Sequence, residues 1–420
     1  MGHHTTASAP YRRARAARTA LAIAACLVTL VGASPGPSTS PSPSLVPVPS
    51  PSAKLAATPG ASSAATAAGR PLVFAYYYIW YAPTSWRRAK IDLPQLGSYD
   101  SRDRAVIAQH IAEARAAGID GLIVSWKHEQ RLDDALSVLV DEATKADMKL
   151  ILLYQGLDFD RLPLDDGVVA GDLTWFLDNY SQAAPFDVFG KPMIVWSGTW
   201  GYKDSQIERV RTAIGAPDRA LLLGSERSAD AYASRAQLFD GDAYYWSSPD
   251  PLTTPRYLRR LDEVAAAVRA DSGRWIAPAA PGFDGRLIGG TSVVPRRDGA
   301  TFRAAWAGAL GTNPDILGII SWNEFSENSH IEPSKTYGDE YLKLTTELIA
   351  GLPSGGSGPS PSASAAGSLP PASNPPFEAP FPADPVPAPR DTNVSGLIVG
   401  GVIFVALVLL GRMMRRRSVP

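Results

Sequence analysis

GLIVSWKHEQRLDDALSVLVDEATKADMKLILLY, residues 121–154, contains two short apolar runs separated by one amphipathic stretch. The runs at 121–125 and 149–154 are apolar at consecutive positions, which is typical of strands covered on both faces. Between them, residues 132–146 carry apolar side chains at helical spacing. Strand, helix and strand in this order form the unit from which parallel sheets are built, so the stretch predicts an α/β fold.

The same alternation continues on both sides, over residues 70–351, which we call the central block. Eight apolar runs are predicted strands: 72–78, 121–125, 149–154, 192–196, 220–223, 243–246, 274–278 and 316–321. Eight amphipathic segments are predicted helices: 102–117, 132–146, 172–183, 205–214, 229–238, 255–270, 300–310 and 339–349. Eight such units in one undivided block predict a single (β/α)8 TIM barrel. A doubly wound open sheet is the competing topology.

The segments outside the central block differ in composition. Residues 1–33 combine a basic start with an apolar run, which is typical of a signal peptide. Residues 34–69 and 352–393 are rich in Pro, Ser and small residues, so a disordered linker and a disordered stalk are expected. Residues 394–411 are apolar and uncharged, and the basic tail 412–420 follows, which predicts a transmembrane helix. We therefore expect a single-pass protein of the cell membrane whose central block is extracellular.

Charge and cysteine content narrow the possible functions. The chain has 40 Lys and Arg against 41 Asp and Glu, and the central block has 30 against 38, a net charge of −8. Nucleic acid is therefore not an expected partner. The single cysteine, Cys26, lies in the predicted leader, so the central block contains no thiol for a disulfide or a thiolate metal site. No histidine pair has metal-binding spacing and no Gly-rich phosphate loop follows the first strand, so we expect neither metal nor cofactor.

Aromatic residues are concentrated where the predicted strands end, and active sites of (β/α)8 barrels form at the C-terminal ends of strands. The residues concerned include Tyr77, Tyr78, Trp80, Trp126, Trp196, Trp200, Tyr245, Trp246 and Trp322. Rings with apolar faces and polar edges suit sugars, which present C–H surface and hydroxyl groups together. The same rings could instead pack the mouth of the barrel. Their number on one rim favours a carbohydrate-binding site.

Two carboxylates follow the last predicted strand, in Trp322-Asn323-Glu324-Phe325-Ser326-Glu327. Glycoside hydrolysis generally uses two carboxyl groups that flank the scissile bond. Glu324 and Glu327 can face one cleft if the segment turns, although the spacing fits a structurally bonded pair equally well. Glu226, after the fifth run, is a candidate third carboxylate; alternatively it pairs with Arg227 or caps the next helix.

Several stretches resemble glycoside hydrolase family 99, the endo-α-mannosidases and bacterial endo-α-mannanases. They are residues 77–81, 96–103, 117–121 leading to 125–126, 281–283, and 321–327 continuing to 331–333. The resemblance implies a retaining reaction in which the 2-hydroxyl of the sugar takes part. Glu324 would be the base for that hydroxyl, and Glu327 would protonate the leaving oxygen and then activate water. Glu327 must then start protonated, which requires a raised pKa.

The resemblance also implies that Tyr78, Trp126 and Tyr245 line sugar subsites. The remaining candidate substrate-binding residues are Tyr77, Trp80, Trp246, Trp322 and Asn323. Two departures from the family pattern lie beside the glutamates: Phe325-Ser326 replaces Trp-His, and Asn328-Ser329-His330 replaces Gly-Thr-Gln. We expect a cell-surface hydrolase of α-mannosidic or related α-linked glycans. The alternatives are a non-catalytic carbohydrate-binding barrel on a stalk and a barrel protein of surface polysaccharide biosynthesis.

Overall fold

The structure is a computed structural model that describes residues 69–158 and 161–352. In these ranges, eight parallel strands form one sheet. They are β1 (Leu72–Tyr78), β2 (Gly121–Trp126), β3 (Lys149–Gln155), β4 (Met193–Ser197), β5 (Leu221–Leu223), β6 (Gly241–Ala243), β7 (Arg274–Ala279) and β10 (Ile316–Ile319). An antiparallel ribbon of β8 (Phe283–Asp284) and β9 (Val293–Val294) separates β7 from β10 in the chain.

One α-helix follows each of the eight parallel strands in the described part of the chain. The helices are α1 (Arg104–Ala116), α2 (Gln130–Ala146), α3 (Asp166–Tyr180), α4 (Asp204–Ile214), α5 (Ala229–Ala233), α6 (Tyr257–Ala270), α7 (Ala300–Gly311) and α8 (Glu340–Ala350). The side chains of Asp103, Asp165 and Ser228 accept hydrogen bonds from first-turn amides. These caps stabilise the starts of α1, α3 and α5.

The sheet closes on itself. Its hydrogen-bonded order is β5-β4-β3-β2-β1-β10-β7-β6, and the two end strands meet through a parallel bridge between Gly224 and Asp242. The carboxylate of Asp240 supports this junction, because it accepts a hydrogen bond from Leu222 N at 2.8 Å and pairs with Arg211 at 3.0 Å. The predicted (β/α)8 barrel is confirmed, and the open doubly wound sheet is wrong.

The barrel wall separates two apolar layers, because successive strand residues face opposite sides. Along β1, Tyr76 and Tyr78 belong to the cluster that fills the barrel interior. Ala75 and Tyr77 belong to the cluster between the barrel and its helices. The filled interior leaves the C-terminal ends of the strands as the position for a site.

Four features differ markedly from the sequence-based expectation. Strand β6 occupies Gly241–Ala243 rather than 243–246; Gly and Asp are poor strand formers, so the pattern favoured the aromatic run that follows. Helix α3 begins at Asp166, earlier than expected, and the end of the predicted fifth helix is a separate 3-10 turn, Ala236–Leu238. The ribbon β8–β9 was not predicted, because two-residue strands produce no periodic signal.

The predicted flanking segments lie outside the described residues, apart from Gly69 and Leu352. They are the signal peptide at 1–33, the linker at 34–69, the stalk at 352–393, the transmembrane helix at 394–411 and the tail at 412–420. Among the helices that the structure describes, none has the length and apolarity needed to cross a membrane.

Candidate active site

The segment that follows β10 is anchored to β1 at the C-terminal end of the barrel. Trp322 N donates a hydrogen bond to Tyr76 O at 2.8 Å. The side-chain oxygen of Asn323 accepts from Tyr78 N at 2.8 Å, and its nitrogen donates to Tyr78 O at 2.9 Å. These bonds place Glu324 where active sites of (β/α)8 barrels form.

Glu324 is buried, at 5% exposure. Its carboxylate accepts hydrogen bonds from Ser326 N at 2.9 Å and from Tyr81 Oη at 3.5 Å, and its own amide donates to Ser321 Oγ at 2.8 Å. Burial raises the pKa of Glu324, whereas the Ser326 amide, the charge of Lys90 and the Tyr81 hydroxyl oppose this rise. The pKa of Glu324 remains above its ordinary value, but these three groups let it ionise more readily than burial alone would allow.

Glu327 has a different environment. It is half-buried, and burial raises its pKa to about 8; the charge of Glu324 adds to the rise and Arg161 opposes it. A carboxyl group with such a pKa is protonated at neutral pH. Burial raises the pKa of both carboxyl groups, but the hydrogen bonds and the charge that oppose the rise at Glu324 make it the first of the pair to lose its proton, an order that suits one base and one acid.

Tyr78 and Tyr245 lie beside the two glutamates. Their hydroxyl oxygens are 2.6 Å apart, and the partly exposed ring of Trp80 lies 4.5 Å from the Tyr78 ring. Burial raises the pKa of both tyrosines, and the charges of Glu327 and Glu324 are further causes of the rise. Because this electrostatic effect weakens with distance, both carboxyl groups lie near the tyrosine pair.

Five of the predicted substrate-binding residues are buried: Tyr78, at 4% exposure, and four others. Tyr77 is 1% exposed, and Trp126, Trp322 and Asn323 are fully buried. Tyr77, Trp126 and Trp322 pack in the layer between the barrel and the helices, and Trp126 Nε1 donates to Asp133 of α2 at 2.9 Å. These positions do not support direct contact of the four side chains with a glycan; they fix the strand ends that carry the site.

Two other candidates lie apart from the glutamate pair. Trp246 is half-buried and stacks on Tyr257 of α6, with ring centroids 4.9 Å apart. Glu226 is buried and accepts a hydrogen bond from Arg235 at 3.2 Å, so it forms a structural ion pair with a partner other than the expected Arg227. Across residues 69–158 and 161–352, no group of three or more His, Asp or Glu side chains is arranged to hold a metal ion.

A buried polar network behind the glutamates was not among the predicted site residues. Tyr99 Oη donates to Glu332 Oε2 at 2.9 Å and accepts from Asn323 Nδ2 at 3.3 Å. His110 of α1 joins the network, because its Nδ1 lies 2.9 Å from Tyr77 Oη and its Nε2 lies 3.3 Å from Glu332 Oε1. Tyr99 and Glu332 occur in the stretches that resemble family 99, and this resemblance is the one feature of the sequence that could have identified them. No feature of the sequence indicated His110.

A closed (β/α)8 barrel that presents two neighbouring carboxyl groups beside aromatic rings has the construction of a glycoside hydrolase. The model of glycosyl hydrolase family 71 matches residues 95–347. The glycoprotein endo-alpha-1,2-mannosidase of Mus musculus is 24% identical over 284 residues, which cover 59% of this chain and 58% of the relative. A glycoprotein endo-alpha-1,2-mannosidase-like protein of Danio rerio is 24% identical over 275 residues, covering 59% of this chain and 61% of the relative.

The fold is shared with a solved structure, the GH99 endo-alpha-mannosidase from Bacteroides thetaiotaomicron. The TM-score is 0.59 at 19% identity, over 66% of this chain and 96% of that one. The chain belongs to glycosyl hydrolase family 71, and the predicted likeness to family 99 is confirmed by these mannosidase relatives and by this fold. The matched region spans about 58% of the length of the mouse relative.

Proposed function

We propose that the central block hydrolyses α-mannosidic, or related α-linked, glycans with Glu324 and Glu327 as its catalytic residues. The observation that carries this proposal is a pair of neighbouring carboxyl groups with divided pKa values: burial raises both, that of Glu327 to about 8, while hydrogen bonds and the charge of Lys90 oppose the rise at Glu324. Such a division assigns one base and one acid to the same cleft. The choice of an α-mannosidic bond rests on the mannosidase relatives.

In the proposed first step, Glu324 removes the proton of the sugar 2-hydroxyl, and this oxygen attacks the anomeric carbon. Glu327 gives its proton to the departing oxygen, so the glycosidic bond breaks and a 1,2-anhydro sugar forms. In the second step, the Glu327 carboxylate takes a proton from a water molecule, which attacks the anomeric carbon. The 2-oxygen recovers its proton from Glu324. Two inversions retain the configuration, and both glutamates return to their starting states.

The partly exposed rings of Trp80 and Tyr245 give the proposed cleft its binding surface. Sugar C–H faces pack well against aromatic rings, and the Tyr78 and Tyr245 hydroxyls can exchange hydrogen bonds with sugar hydroxyls. We further propose that the barrel acts outside the cell, tethered by residues 394–411; the uncharged apolar run and the basic residues that follow it support this topology.

The catalytic proposal is tested by changing each glutamate separately to glutamine. We expect Glu324→Gln and Glu327→Gln to lower kcat on α-mannan by about 10²–10⁴-fold, the usual contribution of one acid or base. Glycan binding should persist in both variants. Glu129→Gln is a matched control, because Glu129 is an exposed carboxylate after β2 that pairs with Lys127 at 2.9 Å; it should leave kcat unchanged.

Two results would favour the alternative functions, a non-catalytic carbohydrate-binding barrel and a barrel protein of polysaccharide synthesis. If the wild-type protein cleaves no α-mannoside while glycans still bind it and both variants, the protein is a carbohydrate-binding barrel. If turnover requires a nucleotide-sugar donor, the barrel acts in polysaccharide synthesis. The location is tested by fractionation: we expect the full chain in the membrane fraction and a chain ending at residue 393 in the medium.

A further inference from the structure

The loop between β7 and α7, residues 280–299, holds the backbone that carries Glu327. Asp284 N donates to Glu327 O at 2.7 Å. Arg296 Nη2 donates to Asn328 O at 3.0 Å and to His330 O at 2.8 Å. The carbonyl groups of Glu327 and of two residues just after it are therefore all bonded to this one loop.

The guanidinium of Arg296 is held in one position by burial and by two tyrosine rings. Its side chain is buried, at 5% exposure, and its guanidinium carbon lies 4.3 Å and 4.2 Å from the ring centroids of Tyr337 and Tyr341. Packing of a desolvated guanidinium against aromatic rings is stabilising, and its planar fork donates in fixed directions. The donor geometry at Asn328 and His330 is therefore set by the rings around it.

The hydrogen bonds of this loop hold the backbone at and after Glu327, and none of them reaches Glu324. The side chain and amide of Glu324 bond to Ser326, Tyr81 and Ser321, none of which belongs to the loop; its carbonyl accepts a longer bond, 3.3 Å, from Ser329 N. Directly after Glu327, Asn328 has φ 51°, a left-handed conformation that a residue with a side chain adopts at some cost. The Arg296 bond to the Asn328 carbonyl stabilises this turn.

We infer that Arg296 is a positioning residue for the acid function of Glu327. Its guanidinium fixes the turn after Glu327, and this aims the Glu327 carboxyl at the departing glycosidic oxygen. The inference rests on the proposed function. It separates Arg296 from a residue that merely stabilises the fold, because in the first step only proton donation to the leaving group should depend on Arg296.

The test compares two substrates that differ in their need for a proton. Fluoride departs from α-mannobiosyl fluoride without help from an acid, whereas the sugar that departs from α-mannan needs one. We expect Arg296→Lys to lower kcat on α-mannan about 10–100-fold with little change in KM, since small misplacement of a catalytic group has effects of this order. On α-mannobiosyl fluoride, kcat/KM reports only the steps up to the departure of fluoride, before Glu327 acts on water, and it should stay within about twofold of wild type.

Arg297→Lys is the matched control, because the neighbouring Arg297 donates to Asp250 and Thr301 rather than to the glutamate segment. It should change neither rate. Equal losses of Arg296→Lys on the two substrates, or no loss on either, would overturn the inference while leaving the proposed function intact. A wild-type protein that turns over neither substrate would overturn both.

A second variant keeps the test valid if Arg296→Lys does not fold. Asn328→Gly retains Arg296, and glycine adopts positive φ without strain, but it loosens the turn that Arg296 fixes. We expect a smaller loss with the same selectivity: slower cleavage of α-mannan and unchanged cleavage of the fluoride. Thermal denaturation checks that the variant is folded, and a folded variant that loses both activities equally contradicts the inference.

Discussion

Glu324 and Glu327 are separated by two residues in the chain, yet their surroundings differ. Glu324 accepts hydrogen bonds from an amide and a hydroxyl, whereas the pKa of Glu327 is raised by burial and by the charge of Glu324. The sequence predicted both residues from their position after the last strand. It could not divide the roles between them, because that depends on Ser326, Tyr81 and Lys90; only the family resemblance implied the division.

The raised pKa of Glu327 predicts the pH dependence of hydrolysis. Glu327 must be protonated to act as the acid, so activity should be present below its pKa and fall as pH rises through about 8. The measurement is kcat/KM on α-mannan between pH 5 and 10. Arg161→Gln should move the alkaline limb of the profile to higher pH, because the charge of Arg161 lowers the pKa of Glu327. A profile without an alkaline limb between about pH 7 and 9 would contradict the assignment.

The same shift predicts a stability effect. The folded-state pKa of Glu327, about 8, lies above the unfolded value of about 4.3. Between these values the unfolded chain releases the proton first, so stability falls as pH rises. Glu327→Gln should therefore raise the free energy of unfolding at pH 7.5 by roughly 1–4 kcal/mol. Denaturant titrations at pH 7.5 and pH 4.5 measure this; an equal gain at both pH values would contradict it.

Strands β1 and β2 carry aromatic residues that the sequence analysis assigned together to the binding site, but these residues lie on opposite faces of the barrel wall. Tyr78 faces the barrel interior, where the charges of both glutamates raise its pKa, whereas Tyr77 and Trp126 pack toward the helices. Strands buried on both faces have no alternation of polar and apolar residues, so the pattern cannot show which side chains face inward. The aromatic rim was visible in the sequence, but its division into cleft and packing residues required the register of the barrel.

The division into cleft residues and packing residues predicts that substitution by phenylalanine lowers stability at one tryptophan and glycan affinity at another. Trp126→Phe removes a buried ring and the donor to Asp133, so it should lower the free energy of unfolding by roughly 1–3 kcal/mol with unchanged glycan affinity. Trp80→Phe should leave stability nearly unchanged and weaken glycan binding about 3–10-fold, because Trp80 is partly exposed beside Tyr78. Both are measured in a Glu327→Gln background by denaturation and calorimetry. The reverse pattern would contradict the placement of the cleft.

At the scale of the whole barrel, repetition made the fold predictable. Eight alternations of apolar run and amphipathic helix indicated the barrel, and the order of strands follows the chain around it. The fifth and sixth predicted runs, 220–223 and 243–246, are the shortest, and they correspond to the shortest strands of the barrel, β5 and β6. Strand β6 begins with Gly241 and contains the buried Asp242, so neither composition nor alternation indicated it.

The short junction between β5 and β6 predicts uneven stability. These strands have three residues each and join through the Gly224–Asp242 bridge, whereas β2 and β3 pair over six positions. Amides of β5 and β6 should therefore exchange with solvent faster than those of β2 and β3. Hydrogen–deuterium exchange with peptide resolution measures this. Equal protection around the barrel would show that the junction is no weaker than the rest.

The central claim is that Glu324 and Glu327 share one cleft and differ in protonation. It is tested most directly by a ¹³C NMR titration of labelled glutamate carboxyls, with the Glu327 signal identified by its loss in Glu327→Gln. We predict a midpoint near pH 8 in the wild-type protein and a lower midpoint in Glu324→Gln, where the neighbouring charge is removed. A midpoint near the ordinary value of about 4.3 that Glu324→Gln leaves unchanged would contradict the account.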